Sequence, residues 1–347
     1  EMENAFLSEL NLNELDETLK TYQEETGLSF SETVKKLILG DLPWSQETMR
    51  KLVFSAFFKE IADQKKTALG IFLLLAGAAF FSGVAGIFEK SQVSAVSFYL
   101  VYLILVSFLV QAFYSMSRVA ETAVEELLVF MKLLLPSCLL ASVLAGKSLG
   151  GAAFSELMLG TLTFLQWAVK YFLFPGAQFY FLLTLLNHIF DEDYLSKMAG
   201  LLKNFVEWAL KTLTGAVVGL QAFQSLILPT VDALKSTVLQ KSGGSIPVVG
   251  GLFNNVTEMV LGAALLIRNG VGTAGLLVLA ILCLTPIVKL LAGGCLYRLL
   301  AAVAQPVADK RLTECVDGLG QGILLLLRIF LFTGILFFLS LALALAR

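Results

Sequence analysis

The sequence predicts an all-α, polytopic membrane bundle, and three observations carry that prediction. Of 347 residues, 57% are hydrophobic and 15% charged, whereas a soluble domain carries about a quarter charged residues. The apolar residues gather into runs such as IFLFTGILFFLSLALALA at 329–346. As a helix that run rises about 27 Å, close to the hydrocarbon thickness of a bilayer. The runs also lack the period-two alternation of barrel strands, and in lipid only helices or closed barrels satisfy the backbone.

Residues 1–67 stand apart, with 13 acidic and 8 basic side chains, a balance of −5 against about +3 for the remainder. Leu12, Leu15, Leu19 and Tyr22 recur at helical spacing up to a break at Gly27. Ser29 and Glu32 form a capping-box pattern opening a second short helix, with Val34, Leu37 and Ile38 on one face. After Pro43, WSQETMRKLVFSAFFKEIADQKK sets Val53, Phe57 and Ile61 on one side and Arg50, Lys51, Lys59, Lys65 and Lys66 on the other. A basic amphipathic helix directly before an apolar span is expected to lie along the membrane surface, with packing on its own domain as the alternative. The chain therefore divides into a polar helical region, 1–67, and a multi-pass membrane domain, 68–347.

Spans are expected near 68–88, 93–115, 128–146, 153–174, 207–229 and 329–346, with shorter or interrupted apolar segments between 176–190 and 247–304. Polar connectors are expected at 116–127, 191–204, 230–246 and 305–318. An internal repeat underlies this pattern. QAFYS at 111–115 recurs as QAFQS at 221–225, an offset of 110; Pro136 matches Pro247 and Pro175 matches Pro286, each at an offset of 111. Two related units, about 93–190 and 205–304, follow from these landmarks. Short or Pro/Gly-interrupted apolar segments at matching positions mark helices broken within the membrane. Such irregular backbone must be buried in protein or line a wet cavity. Pro175 with Gly176, and Pro286 with Gly293 and Gly294, are therefore expected to break their helices and face the bundle interior.

Charges inside apolar segments are costly, about 2.5–3.5 kcal/mol at a helix centre. Lys132 and Lys170 lie close enough to span ends to snorkel, and Arg328 and Arg347 flank the last span as interfacial anchors. Lys289 and Arg298, nine residues apart, need another explanation. Glu258, Asp309 and Glu314 are the candidate counter-ions, and the readings are a structural ion pair or the lining of an aqueous path. Asn254 and Asn255 beside Glu258 form a second polar cluster, able to bond neighbouring helices or coat a pore. GAVVG at 215–219 has the spacing that lets another helix approach closely.

The chemistry that is missing also bounds function. Cys138, Cys283, Cys295 and Cys315 form no CxxC pair, and His188 is the only histidine. No metal site of usual spacing can be assembled. No basic block suggests nucleic acid, and no catalytic motif is present. GKS at 146–148 lacks both the phosphate loop's first glycine, Ala141 standing there, and its preceding strand. No enzyme activity and no cofactor are expected.

The second unit, SIPVVGGLFNNVTEMVLGAALLIRNGVGTAGLLVLAILCLTPIVKLLAGGCLYRLLAAVAQPVADKRLTECVDGLG (245–320), resembles the stage III sporulation AE proteins of endospore-forming bacteria. The resemblance lies in the PVVG entry, the LIRNGVGTAG turn, the Pro-x-x-Lys break, the Tyr-Arg-Leu-x-Ala-Ala-Val-x-Gln-Pro run and the Glu-Cys-x-Asp connector. It extends more loosely from about residue 45 to the end. The resemblance implies a multi-pass protein of the mother-cell membrane surrounding the forespore. It also implies a transenvelope, secretion-like assembly with ring-forming proteins and a secretion-type ATPase as partners, and it is compatible with self-association. A cleavable leader is expected, placing residues 1–67 between the two membranes, although Lys65 and Lys66 argue for the opposite orientation. The functional expectation is a conduit or gate subunit. A permease acting alone and a purely structural anchor are the alternatives.

Overall fold

A computed structural model describes residues 46–85, 92–144, 150–189, 194–242 and 251–345. Apart from short turns the described chain is helical and holds no strand. The elements are α1 (Gln46–Ala85), α2 (Gln92–Leu144), α3 (Gly150–Ala168), a π-helical turn (Val169–Leu173), α4 (Phe174–Asn187), α5 (Ser196–Ser242), α6 (Gly251–Ala304) and α7 (Lys310–Leu345). Among the described residues four stretches are long and apolar enough to cross a membrane: Tyr99–Ser137, Glu156–Asn187, Gly270–Ala304 and Lys310–Ala344. The short helices expected before residue 40, and Pro247, lie outside the described residues.

The axis of the bundle is α7, which packs against α2, α3, α4, α5 and α6. Its side chains explain this position. Leu319, Ile323, Phe330 and Phe337 on one face and Leu325, Ile329 and Leu336 on a second face are all almost fully buried. A helix apolar all round must be enclosed by others. Pro306 blocks continuation of α6, and Asp309 starts α7 by accepting a hydrogen bond from the Arg311 amide at 2.8 Å, an N-cap geometry. The expected connector at 305–318 is thus shortened to a few residues.

The helices run longer than the sequence reading allowed. SRVAETAVEE, expected as a connector, lies in the middle of the 53-residue α2. It contains no glycine or proline, and its Ala, Glu and Arg are good helix formers. Ala120, Ala123, Val124 and Leu127 also continue the buried stripe. LIRNGVGTAG, expected as a turn, is helical within α6. The amphipathic segment joins the next apolar run in the 40-residue α1, which crosses position 67/68 without interruption. That helix packs on α6 and α2, with Glu60, Gln64, Ala68, Ile71 and Leu75 inward. Packing on its own bundle is the reading realised.

The expected helix breaks are corrected as well. Pro136 and Pro286 each lie inside a continuous helix. Pro286 is buried and Pro136 exposed. A proline withholds one amide from the ladder, here the partner of the Leu282 carbonyl, and so weakens a helix without always ending it. Pro175 differs. Its ring would meet the Tyr171 carbonyl in a regular α-helix, and the backbone there widens into the π turn, with the Phe174 amide bonding back to the Val169 carbonyl. Both proposed units contain a long helix followed by a second helical arm, α2 then α3–α4, and α5 then α6. That succession of helices does not establish the repeat, and at the one matched proline pair within the described residues, Pro175 and Pro286, the local backbone differs.

Gly293 and Gly294 act at helix crossings. A Cβ on Gly293 would lie 3.0 Å from the Met116 sulfur of α2, and one on Gly294 would lie 2.9 Å from Leu324 of α7. Opposite them, a Cβ on Gly320 would lie 2.4 Å from Arg298 Cγ and 3.1 Å from the Gly294 carbonyl oxygen. Facing glycines bring α6 and α7 together, as small residues do in membrane bundles.

Candidate functional site: polar groups within the bundle

Arg298 sits where α5, α6 and α7 meet. Its Nε donates to Asp317 Oδ1 at 3.1 Å, and Gln321 Nε2 donates to Asp317 Oδ2 at 2.7 Å. The Tyr180 hydroxyl donates to Gln321 Oε1 at 3.3 Å. Lys203 places its ammonium 5.9 Å from the centre of the Tyr180 ring, within cation–π range. Deeper along α7, Arg328 pairs with Glu207 of α5. Lys203, Arg298, Gln321, Leu324, Leu325 and Arg328 line a cavity of about 300 Å³. The Arg298 partner is therefore Asp317, one turn beyond the candidate Glu314 and about two beyond Asp309. Glu258 lies on α6 itself, forty positions away and roughly 60 Å along the axis, which excludes an ion pair with Arg298 within one chain.

A second polar feature faces outward. From Ser107 to Lys132 the exposed face of α2 carries Ser107, Gln111, Ser115, Arg118, Thr122 and Lys132. Exposed Tyr114 and Val129 interrupt it. The spacing holds these residues on one helical face over about 38 Å, longer than the roughly 30 Å hydrocarbon core. Helices α2 and α7 run parallel, since the Cys315 thiol lies 3.9 Å from the Tyr102 hydroxyl and Gly322 packs on Phe113. The apolar run 329–346 of α7 therefore lies beside α2 from about residue 120 onward. At that level Glu125 of α2 pairs with Lys170 of the π turn, both side chains nearly half exposed.

Two further seams lock helices together. Gln178 of α4 donates to Ser117 Oγ at 3.0 Å and to Glu121 Oε1 at 3.1 Å on α2. Tyr297 of α6 donates to Gln64 Oε1 at 2.7 Å, and Gln64 Nε2 donates to Glu60 Oε1 at 3.1 Å. Half-buried Lys289 acts electrostatically on Glu60. Burial pushes the Glu60 carboxyl above its ordinary range; the Gln64 hydrogen bond and the Lys289 charge pull it back only in part.

The predicted residues thus separate. Arg298 joins the cavity, Lys289 faces α1, and Gly293 and Gly294 support the α6–α7 crossing. Pro175 and Gly176 are half-buried at the α4–α5 contact, where a Cβ on Gly176 would lie 2.7 Å from Val206. Asn254, Asn255 and Glu258 lie on α6 with their side chains outside the described residues. The repeat motif's glutamines diverge, Gln111 being exposed and Gln221 buried with its amide on Ser340 of α7. A Cβ on Gly215 or Gly219 would meet no atom within 4 Å, so among the described residues no helix packs closely on GAVVG. Sequence reasoning missed Lys203, Asp317, Gln321, the Arg328–Glu207 pair and the α2 face. The last was legible in the i, i+4 spacing of Ser107, Gln111 and Ser115, but the following charges were read as a loop.

Long apolar helices around α7, with paired charges between them, define a multi-pass helical membrane protein. The model of the stage III sporulation protein AE family matches residues 28–347, and the chain belongs to that family. A similar relative is the stage III sporulation protein AE of Bacillus subtilis (strain 168). It is 24% identical over 310 residues, covering 89% of this chain and 78% of the relative. No solved structure matches.

Proposed function

We propose that this protein is a non-enzymatic subunit of a transenvelope channel between mother cell and forespore, set in the mother-cell membrane around the forespore. There it contributes to the conduit or its gate. The observation that carries this reading is the outward polar face of α2. When the apolar run of α7 occupies the hydrocarbon, α2 beside it turns Thr122, the Glu125–Lys170 pair and Lys132 away from the bundle. Lipid cannot solvate such a face, and exposed ionisable residues at membrane depth mark water-filled paths or partner contacts. Membership in a sporulation family supports the setting, and ring-forming proteins and a secretion-type ATPase are the partners to seek. The gate is thereby assigned to this face instead of to broken helices. A permease acting alone would need an enclosed site at mid-depth, whereas the cavity near Arg298 opens at one end of the apolar run.

Single cysteines at Thr122 and Lys132, the exposed polar positions of this face at the depth of the apolar run, in a chain whose native cysteines are replaced, test the reading. In sporulating cells both should react with a membrane-impermeant maleimide, while cysteines at the exposed apolar positions Leu157 and Phe164 of α3 should not. Equal protection of both sets would remove the conduit.

A further inference from the structure

We infer that the cavity bounded by Lys203, Arg298 and Arg328 is a binding site for the phosphate diester of a net-anionic phospholipid headgroup. Three properties point to that chemistry. The first is charge. Asp317 pairs with Arg298 and Glu207 pairs with Arg328, while among the described residues no carboxylate pairs with Lys203. Three cations against two carboxylates leave one positive charge, matching the single negative charge of a phosphodiester. Each guanidinium also keeps N–H donors beyond the one given to its carboxylate, in a fork suited to phosphate oxygens.

The second property is shape. About 300 Å³ bounded by three cationic groups together with Gln321, Leu324 and Leu325 accommodates a headgroup with the start of its glycerol backbone. A cavity for a free inorganic anion would need no apolar wall. The third is depth. Arg328 immediately precedes the apolar run 329–346, so the cavity lies where hydrocarbon gives way to headgroups. Exposed Trp208 on α5, next to Glu207, marks the same level, because Trp concentrates at membrane interfaces. Basic pockets between membrane helices at this depth bind anionic headgroups.

The test uses the full chain purified in neutral detergent. Retained lipid is counted by native mass spectrometry after addition of phosphatidylglycerol or phosphatidylcholine at equal mole fraction, and a separate arm adds inorganic phosphate. Phosphatidylglycerol should bind at least about tenfold more tightly than phosphatidylcholine. Lys203→Gln should abolish that preference, Lys203→Arg should retain it, and Lys66→Gln, exposed on α1, should leave it unchanged. Lys203→Gln carries the test even if Arg328→Gln fails to fold, since Lys203 has no carboxylate partner to orphan. Lys203-dependent binding of phosphate that displaces the lipid would overturn the headgroup assignment in favour of a soluble phosphate. Equal retention of both lipids, or an unchanged preference in folded Lys203→Gln, would remove the site altogether.

Discussion

Glu60 is the residue whose surroundings make the sharpest demand. It is 6% exposed and its carboxyl is raised, chiefly by burial. An acid with a folded-state pKa above its unfolded value favours folding when protonated. Its contribution is complete below the unfolded pKa, near pH 4.5, and is lost as pH rises through the folded one. Glu60→Gln keeps the carbonyl that accepts from Gln64 and removes the charge. The variant should unfold at a higher temperature than the parent at pH 7.5, with the difference vanishing near pH 4. Lys289→Gln should act oppositely and lower the midpoint at pH 7.5, because it removes a charge that favours the carboxylate. Thermal melts across that pH range check both signs. The sequence marked Lys289 as needing an explanation but not its partner, because Glu60 belongs to a segment that its composition assigned to the membrane surface. Arg298 shows the same limit. A charge set in an apolar segment announces that a counter-ion exists, but which carboxylate supplies it depends on helix register across the α6–α7 contact.

At the scale of the element, the glycines of the α6–α7 crossing separate packing from mere spacing. Gly320→Ala forces its new methyl against Arg298 and the Gly294 carbonyl, and should destabilise the purified protein by about 1–3 kcal/mol. Gly219→Ala meets open space and should be neutral or stabilise by up to about 1 kcal/mol through helix propensity. Denaturation midpoints of the two variants in one detergent make the comparison, and equal effects would discard the crossing as the cause. The same crossing shows what was legible. Helical class and the apolar runs were plain from composition and run length. Helix ends were not, because charge was taken as a boundary where only Gly, Pro or a cap ends a helix. The α2 segment 116–127 is charged, yet it keeps a buried stripe of Ala120, Ala123, Val124 and Leu127 and never leaves the helix. Pro286 misled in the other direction: a residue that weakens a ladder was read as one that ends it.

For the whole molecule, α7 determines whether there is a bundle at all. Every helix except α1 has a substantial contact with it, and Tyr102 and Phe113 of α2 and Tyr180 of α4 reach toward it. A chain ended after Asp309 should fail to yield a monodisperse species on size-exclusion chromatography, whereas one ended after Leu341 should behave as the parent. Equal behaviour would move the core elsewhere.

The uninterrupted path of α2 has a mechanical corollary. A helix of 53 residues rises about 80 Å, more than twice the roughly 30 Å of oil it crosses, so much of it stands in water. Tyr102 and Phe113 on that overhang bear on α7, so a push on its aqueous end is carried into the membrane through those contacts.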